Sequence, residues 1–441
     1  MIEICARIIQ RSVFITEEKI TCEVKITNHG HNKNVNNEVK RRHSRHASDT
    51  RVIAPEAWNR GINMEVKSKD ESVMLALASA QIYCHCDVNE RRLRLPVSIH
   101  NHSKQDHVKQ HTSFSPVMGE KGHCLFTTEA SVLFCDLKLR KGETKKFIYS
   151  DVLPSEVPPS YKGQHIKFSY KICIGVGRVG QPLCIIRLPF RLFELKGIFK
   201  SIKRHSSEQQ ESDEPTLSPK KEQSDTNPFL EEDLLESYSL LDAAMDTLTT
   251  LTVKRNLNTY NIASTSGCVG KFCLSKHYYR LGEDVLGTFD LTGSEVSCIK
   301  FTVSLQVEET ISKSCLLQPS SSNFVHYITL CRHEECCYHT TKTNFLLPIP
   351  VTATPEFTHK IVSVRWRLHF EFTIEMKDKT MEKSTLKTNA EENQMNLSIP
   401  STLKTELMLW DLPIHVVATN PILASLMMQA DSSETVLLSD S

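Results

Sequence analysis

The feature that most constrains this chain is that it states one motif twice. Lys276 to Leu291 reads KHYYRLGEDVLGTFDL. Tyr278 and Tyr279 end one extended segment, and Leu281 to Asp284 make a tight turn. Val285, Gly287, Phe289 and Leu291 then alternate with Leu286, Thr288 and Asp290. The pattern predicts a strand, a turn and a half-buried strand, paired as a hairpin. Phe14, Glu17, Glu18, Ile20, Cys22, Val24 and Ile26 repeat the order and spacing of Tyr279, Gly282, Glu283, Val285, Gly287, Phe289 and Leu291 at a constant offset of 265. The second copy has Gly282 and Gly287 where the first has Glu17 and Cys22. It is expected to turn more tightly and to let another backbone approach. Further along, Pro154, Pro159, Tyr161, Phe168, Tyr170 and Ile172 match Pro350, Pro355, Phe357, Val364, Trp366 and Leu368 at an offset of 196. The offset falls by 69, and two polar insertions in the first half, 28–72 and 98–113, supply 61 of those residues. The chain therefore reads as two copies of one structural unit.

Both copies read as β. In the first, Ile2 to Ile8, Ile20 to Thr27, Leu75 to Cys86, Cys124 to Phe126, Val132 to Leu139, Thr144 to Tyr149, Ile166 to Ile174 and Leu183 to Leu195 alternate or run apolar between turns. In the second, Val362 to Met376 alternates without a break, which predicts one strand about 50 Å long at ~3.3 Å per residue. Short strands separated by turns, with no helical period, predict an all-β protein of antiparallel sandwiches. The segment 28–72, rich in Asn, Lys, Arg, Ser and His, has no apolar periodicity to offset its ordering entropy and reads as a disordered insertion. Its basic run at Val39 to His46 is a solvated loop or a contact for phosphates or an acidic partner. Lys200 to Thr226 is a linker by composition. Pro228 to Leu251 is the one helical segment. Leu230, Leu234, Leu241, Ala244, Met245 and Leu248 fall near one stripe behind an acidic first turn. It either packs back on a sandwich or docks in another protein's groove. The expected organisation is a sandwich over 1–195, a linker with its helix over 196–259, a second sandwich over 260–417, and a tail over 418–441 with no readable period.

Composition removes several functions. A formal net charge of +1 gives no global pull toward nucleic acid or anionic membrane. No apolar run approaches the ~20 residues of a membrane helix. The N-terminus lacks the features of a signal peptide, so the 15 cysteines read as reduced thiols in a cytosolic protein. Gly175, Gly177 and Gly180 spell a dinucleotide motif, but a strand follows instead of a helix, so they read as a hairpin turn. His107 and His111 lack further ligands. Cys331, His333, Cys336, Cys337 and His339 are metal-capable, yet without a C-x-x-C pair they read as packing groups. Pro158–Pro159–Ser160–Tyr161 spells a WW-domain ligand, but its place inside the repeat makes it a structural corner. No catalytic constellation, cofactor site or metal site is expected.

The corner Leu153–Pro154…Pro158–Pro159–Ser160–Tyr161, with its degenerate copy Pro355–Glu356–Phe357, resembles that of the arrestin fold. More narrowly, Tyr260 to Ile262 (YNI), Tyr279 to Gly287 (YRLGEDVLG), Asn227 to Asp233 (NPFLEED), Val132 to Leu137 (VLFCDL), Arg365 to Phe372 (RWRLHFEF) and Trp410 to Ile414 (WDLPI) resemble the retrograde Golgi transport family. That resemblance implies the non-catalytic, arrestin-like subunit of a two-protein guanine-nucleotide exchange factor for a Golgi Rab GTPase of the Rab-six type. It implies a large WD-repeat partner, peripheral attachment to the Golgi membrane from the cytosol, and a role in endosome-to-Golgi and intra-Golgi retrograde transport. Phe229, Leu230, Leu234 and Leu241 on the acidic helix, and Arg365, Arg367 and His369 on the long strand, are the candidate partner contacts. The rival expectation is an arrestin-type cargo or receptor adaptor.

Overall fold

A computed structural model describes residues 1–30, 72–96, 115–194, 232–253, 257–318, 322–376, 404–428 and 433–438. The disordered-insertion, histidine-loop and linker expectations fall almost wholly outside these residues, as do Phe229 and Leu230. The chain divides into two compact units. Unit 1 comprises Met1–Lys196, Lys313–Ser321 and Asn420–Ser441, and unit 2 comprises Gly197–Ser312 and Ser322–Thr419.

Unit 1 contains β1 (Ile2–Ile8), β2 (Val13–Ile15), β3 (Lys19–Asn28), β4 (Val73–Val88), β5 (His123–Thr127), β6 (Ser131–Leu139), β7 (Thr144–Val152), β8 (Tyr161–Lys162), β9 (Ile166–Gly177) and β10 (Cys184–Phe193). Unit 2 begins with helix α1 (Glu232–Val253). It continues through β11 (Asn258–Ser264), β12 (Gly267–Leu274), β13 (Tyr278–Arg280), β14 (Asp284–Asp290), β15 (Cys298–Ile311), β16 (Phe324–Cys336), β17 (Lys342–Pro348), β18 (Phe357–Thr358), β19 (Val362–Glu375) and β20 (Thr405–Val417). Helix α2 (Pro421–Met428) and β21 (Ser433–Leu438) return to unit 1.

Each unit is two facing sheets. In unit 1 the small sheet runs β21–β1–β3–β7 and the large one β2–β10–β9–β4–β5, with β6 on β4 and β8 on β9. In unit 2 the orders are β11–β12–β14–β17 and β13–β20–β19–β15–β16, with β18 on β19. Period-two alternation drives this layering. Ile2, Ile4, Ala6 and Ile8 are buried on β1, and Val362, Val364, Trp366, Leu368, Phe370, Phe372 and Ile374 on β19. In unit 2 the layers meet through rings: Phe289 of the small sheet lies 4.6 Å from Phe301 of the large one, and Phe272 lies 5.0 Å from Phe370. Each fully buried ring removes apolar surface worth roughly 1.5–3 kcal/mol from water. The all-β expectation holds, with one qualification: β2 runs parallel to β10, and β13 parallel to β20.

The repeat extends to individual hydrogen bonds. Tyr170 Oη donates to the Pro158 carbonyl at 2.5 Å, and Trp366 Nε1 donates to the Thr354 carbonyl at 3.1 Å. Both pairs obey the offset of 196. The Pro158–Tyr161 segment is thereby held inside the fold. Tyr161 is buried and paired with Phe168, and the Ser160 N–H donates to the Leu192 carbonyl. Gly175 to Gly180 forms the β9–β10 hairpin, with Cys184 opposite Val176.

The doubled motif itself is not a hairpin. β13 pairs with β20 in the large sheet, while β14 pairs with β12 and β17 in the small one. The turn carries the chain across the sandwich, because its amides serve both layers: the Leu281 N–H donates to Val417, and the Gly282 N–H to Ile349. A carboxylate fixes the corner. Glu283 accepts from the Arg280 N–H at 2.9 Å, from Arg280 Nε at 3.0 Å and from Lys276 Nζ at 2.6 Å. Glu18 does the same with the Ile15 N–H and Arg11. In both copies the cation also lies over the aromatic ring, Arg11 over Phe14 at 5.1 Å and Lys276 over Tyr279 at 5.0 Å. The expected difference in tightness is absent. Glu17 has φ 66° and Gly282 has φ 88°, so both copies take the left-handed conformation, and Glu17 bears its steric cost. Nor does Gly287 admit a backbone. A Cβ there would lie 2.5 Å from Phe345 Cε1 and 2.7 Å from Phe272 Cε2, so the glycine makes room for rings.

The tail, read as without period, contains a helix and a strand. β21 pairs antiparallel with β1, Ile4 opposite Val436. It holds on β1 the place that β11 holds on β12, and α2 covers β2 as α1 covers β13. Lys313–Ser321, expected in the second sandwich, also belongs to unit 1. There the Arg94 N–H donates to the Cys315 carbonyl at 2.8 Å and the Leu317 N–H to Arg92 at 3.1 Å.

Candidate functional site

The residues with binding chemistry gather on the outer face of the large sheet of unit 2. Alternation buries Trp366, Leu368 and Phe370 and turns Arg365, Arg367 and His369 outward. Register then chooses their neighbours. Gln306 on β15 stands opposite Arg367, and Asp411 on β20 stands opposite His369. Arg367 Nε donates to Gln306 Oε1 at 3.0 Å, and Nη1 donates to Asp411 Oδ2 at 3.0 Å. Its guanidinium lies 3.6 Å from the centroid of the Tyr327 ring on β16. His369 Nδ1 donates to Asp411 Oδ1 at 2.6 Å.

This geometry changes the expected character of the face. Arg365 is exposed, but Arg367 and His369 are half-buried and engaged. Arg332 bridges Glu334 and Glu371, and Lys300 pairs with Glu334. The face is a charge-balanced mosaic, with Tyr327, Leu407 and Leu409 exposed among the ions. Exposed pairs of this kind contribute about 0.2–1 kcal/mol each, so they hold side chains in place at little cost to re-pairing. Arg and Tyr are among the side chains enriched in protein–protein hot spots. Tyr327, Gln306 and Asp411 were missed from sequence because only register reveals them.

The acidic helix packs on its own sandwich. Ala244, Leu248 and Thr252 of α1 are buried, Leu241 and Met245 are half-buried, and Asp242 and Asp246 are exposed. Lys276 Nζ caps the helix by donating to the Thr252 carbonyl at 3.4 Å, where the helix dipole favours a cation. Leu234 lies on α1, and its side chain is outside the described residues. The structure does not bring α1 and the Arg365–His369 face together as one described cluster.

Other chemistry-bearing groups are structural. On unit 1, Glu120 accepts from Tyr83 Oη at 2.8 Å and pairs with Lys171. Burial would raise its pKa, but those hydrogen bonds and the Lys171 and Arg187 charges outweigh it and hold the carboxyl low. The cysteine–histidine run from Cys331 to His339, on and after β16, separates into different surroundings. Cys331 Sγ faces the Pro348 carbonyl, His333 stacks on Phe301 at 5.9 Å, and Cys337 Sγ donates to the Cys298 carbonyl at 3.4 Å. Among the described residues no group of three or more His, Cys, Asp or Glu side chains could hold a metal ion, and no helix is long and apolar enough to cross a membrane.

Two tandem β-sandwiches, the second with an outer face of ordered polar and apolar side chains, define an all-β protein. A family model described as Rgp1 matches residues 32–197 and 196–375, and the chain belongs to the Rgp1 family. It is 35% identical over 445 aligned positions to RAB6A-GEF complex partner protein 2 of Homo sapiens, covering 99% of this chain and 100% of that protein. It is 34% identical over 431 positions to the protein of the same name in Bos taurus, covering 96% of each chain.

Proposed function

We propose that this chain is the non-catalytic, arrestin-like subunit of a heterodimeric guanine-nucleotide exchange factor that activates a Golgi Rab GTPase of the Rab6 type. The single observation that carries this reading is similarity along almost the whole chain to proteins named as partners in a RAB6A exchange complex. The other subunit is a large WD-repeat protein. The complex works from the cytosol at the surface of the Golgi membrane, in endosome-to-Golgi and intra-Golgi retrograde transport, and it needs neither nucleic acid nor a cofactor.

Exchange breaks no covalent bond. A partner surface that binds the nucleotide-free Rab better than the loaded one shifts the population toward release. A rigid scaffold suits that work, because its faces are ordered before the Rab arrives. Arg365, Arg367 and His369, together with Phe229, Leu230, Leu234 and Leu241 on and before α1, are the contacts we assign to partner binding. The test is release of a fluorescent GDP analogue from a Rab6-type GTPase. The co-expressed pair is expected to accelerate release where this chain alone does not. Equal acceleration by the large subunit without this chain would refute the reading.

A further inference from the structure

We propose that the outward face of α2, formed by Ile422, Leu423, Leu426 and Met427, is where the large subunit of the exchange complex docks, meeting it with an apolar, uncharged face of its own. The proposal rests on the exchange-complex reading above and adds the surface by which the two subunits join.

The first observation is exposure. These four side chains are 48%, 49%, 70% and 60% exposed, so half of an eight-residue helix presents large apolar groups to water. The second is an internal control. α2 covers β2 as α1 covers β13, in equivalent places of the two sandwiches. Pro421, Ala424 and Met428 turn toward the fold at the spacing of Leu241, Ala244 and Leu248, a constant offset of 180. At that offset Ile422 and Leu426 correspond to Asp242 and Asp246, both exposed. The same position in the same fold thus accepts aspartate, and packing does not demand the apolar face of α2.

The helix is also held as a rigid platform. Asn420 Oδ1 accepts the Ile422 N–H at 2.8 Å as an N-cap. Ser425 Oγ accepts the Val13 N–H at 3.0 Å, and β21 anchors the following chain to β1.

The chemistry of α2 selects its occupant. PILASLMM carries no charge, whereas helices that lie on lipid surfaces carry Lys and Arg beside their apolar face. A charged partner surface would lose its hydration with nothing to pair it. What fits is the uncharged core of a protein interface, and the relatives are named as complex partners.

The test compares the full wild-type chain with Ile422→Asp/Leu426→Asp, which installs the residues of α1, each co-expressed with the large WD-repeat subunit. The variant is expected to bind that subunit at least tenfold more weakly, with an unchanged melting temperature and unchanged hydrogen-exchange protection at Val13. Leu426→Gln, which keeps helix propensity, is expected to weaken binding several-fold if the double variant fails to fold. Val179→Asp, at an exposed apolar side chain on the β9–β10 turn, serves as the control and is expected to leave affinity unchanged. Equal binding by wild type and a folded α2 variant overturns the proposal while the exchange-complex reading stands. An intact complex with lost binding to Golgi-composition vesicles also overturns it, in favour of lipid. A wild-type chain that binds no large subunit overturns the reading and the proposal with it.

Discussion

Replacing Gly287 by alanine should destabilise the second sandwich, against the usual effect of that substitution. Where the backbone is compatible, Gly→Ala stabilises by about 0.4–1 kcal/mol through the unfolded chain, and Gly287 does not have the positive φ that would forbid it. The obstacle is space. The new methyl would sit 2.5 Å from Phe345 Cε1 and 2.7 Å from Phe272 Cε2. Phe345 cannot swing aside freely, since it stacks on Phe272 at 5.9 Å and packs on Phe289 at 5.9 Å and Phe370 at 6.1 Å. Overpacking of this kind costs about 1–3 kcal/mol, which leaves a net loss of roughly 1–2 kcal/mol after the entropic gain. The assay is urea unfolding followed by tryptophan fluorescence, since Trp366 and Trp410 both lie in this sandwich. Phe345→Leu opens the space, so the double variant should recover much of the Gly287→Ala penalty, with a coupling energy of about 1–2 kcal/mol. A neutral or stabilising Gly287→Ala, or additive single effects, would refute the account of this glycine as a seat for rings.

Glu283→Gln should lower stability by about 1.5–3 kcal/mol at pH 7, the range for hydrogen bonds to charged groups. Burial alone would raise the pKa of Glu283, but hydrogen bonds from Lys276 and Arg280 win and hold it below the ordinary value of 4.5. Its contribution is therefore present above the unfolded pKa and lost as pH falls through the lower folded one, so variant and wild type should converge in acid denaturation. For Glu18 burial dominates and the pKa is raised. Its folded pKa lies above the unfolded one, so the wild-type corner gains stability as pH falls between them, and Glu18→Gln should show the opposite pH trend. Arg367→Lys keeps the charge but loses the stack on Tyr327 and the fork to Gln306 and Asp411. It should cost about 1 kcal/mol in stability and weaken binding of the large subunit in a pull-down titration; unchanged affinity would remove Arg367 from the interface.

What was legible in the sequence was local. The corner chemistry of Arg11, Phe14 and Glu18 and of Lys276, Tyr279 and Glu283 is written within eight residues, so the duplication could be read directly. The alternation on β19 announced its buried face for the same reason. Errors arose where a local pattern has two tertiary solutions. A strand, a turn and a strand form a hairpin if both arms join one sheet, and a crossing if they join two. Only the partners of Tyr279 and Val285, more than 60 residues downstream in β20 and β17, decide between them. Likewise, Arg367 and His369 looked free until register set Asp411 and Gln306 beside them.

The tail shows why the remainder was hidden. PILASLMM has no polar stripe, so periodicity cannot distinguish a helix with one buried face from any short apolar run. The partner of its following strand is β1, more than 400 residues away in the chain. Yet the repeat itself contains the answer once α1 and β11 are seen to precede the second sandwich as a helix and an edge strand. α2 and β21 are that same pair, supplied to the first sandwich from the other end of the chain. The duplicated unit is therefore a helix, an edge strand and a sandwich core. The residues in which its copies diverge, Asp242 against Ile422 and Asp246 against Leu426, are those the shared fold leaves free for function.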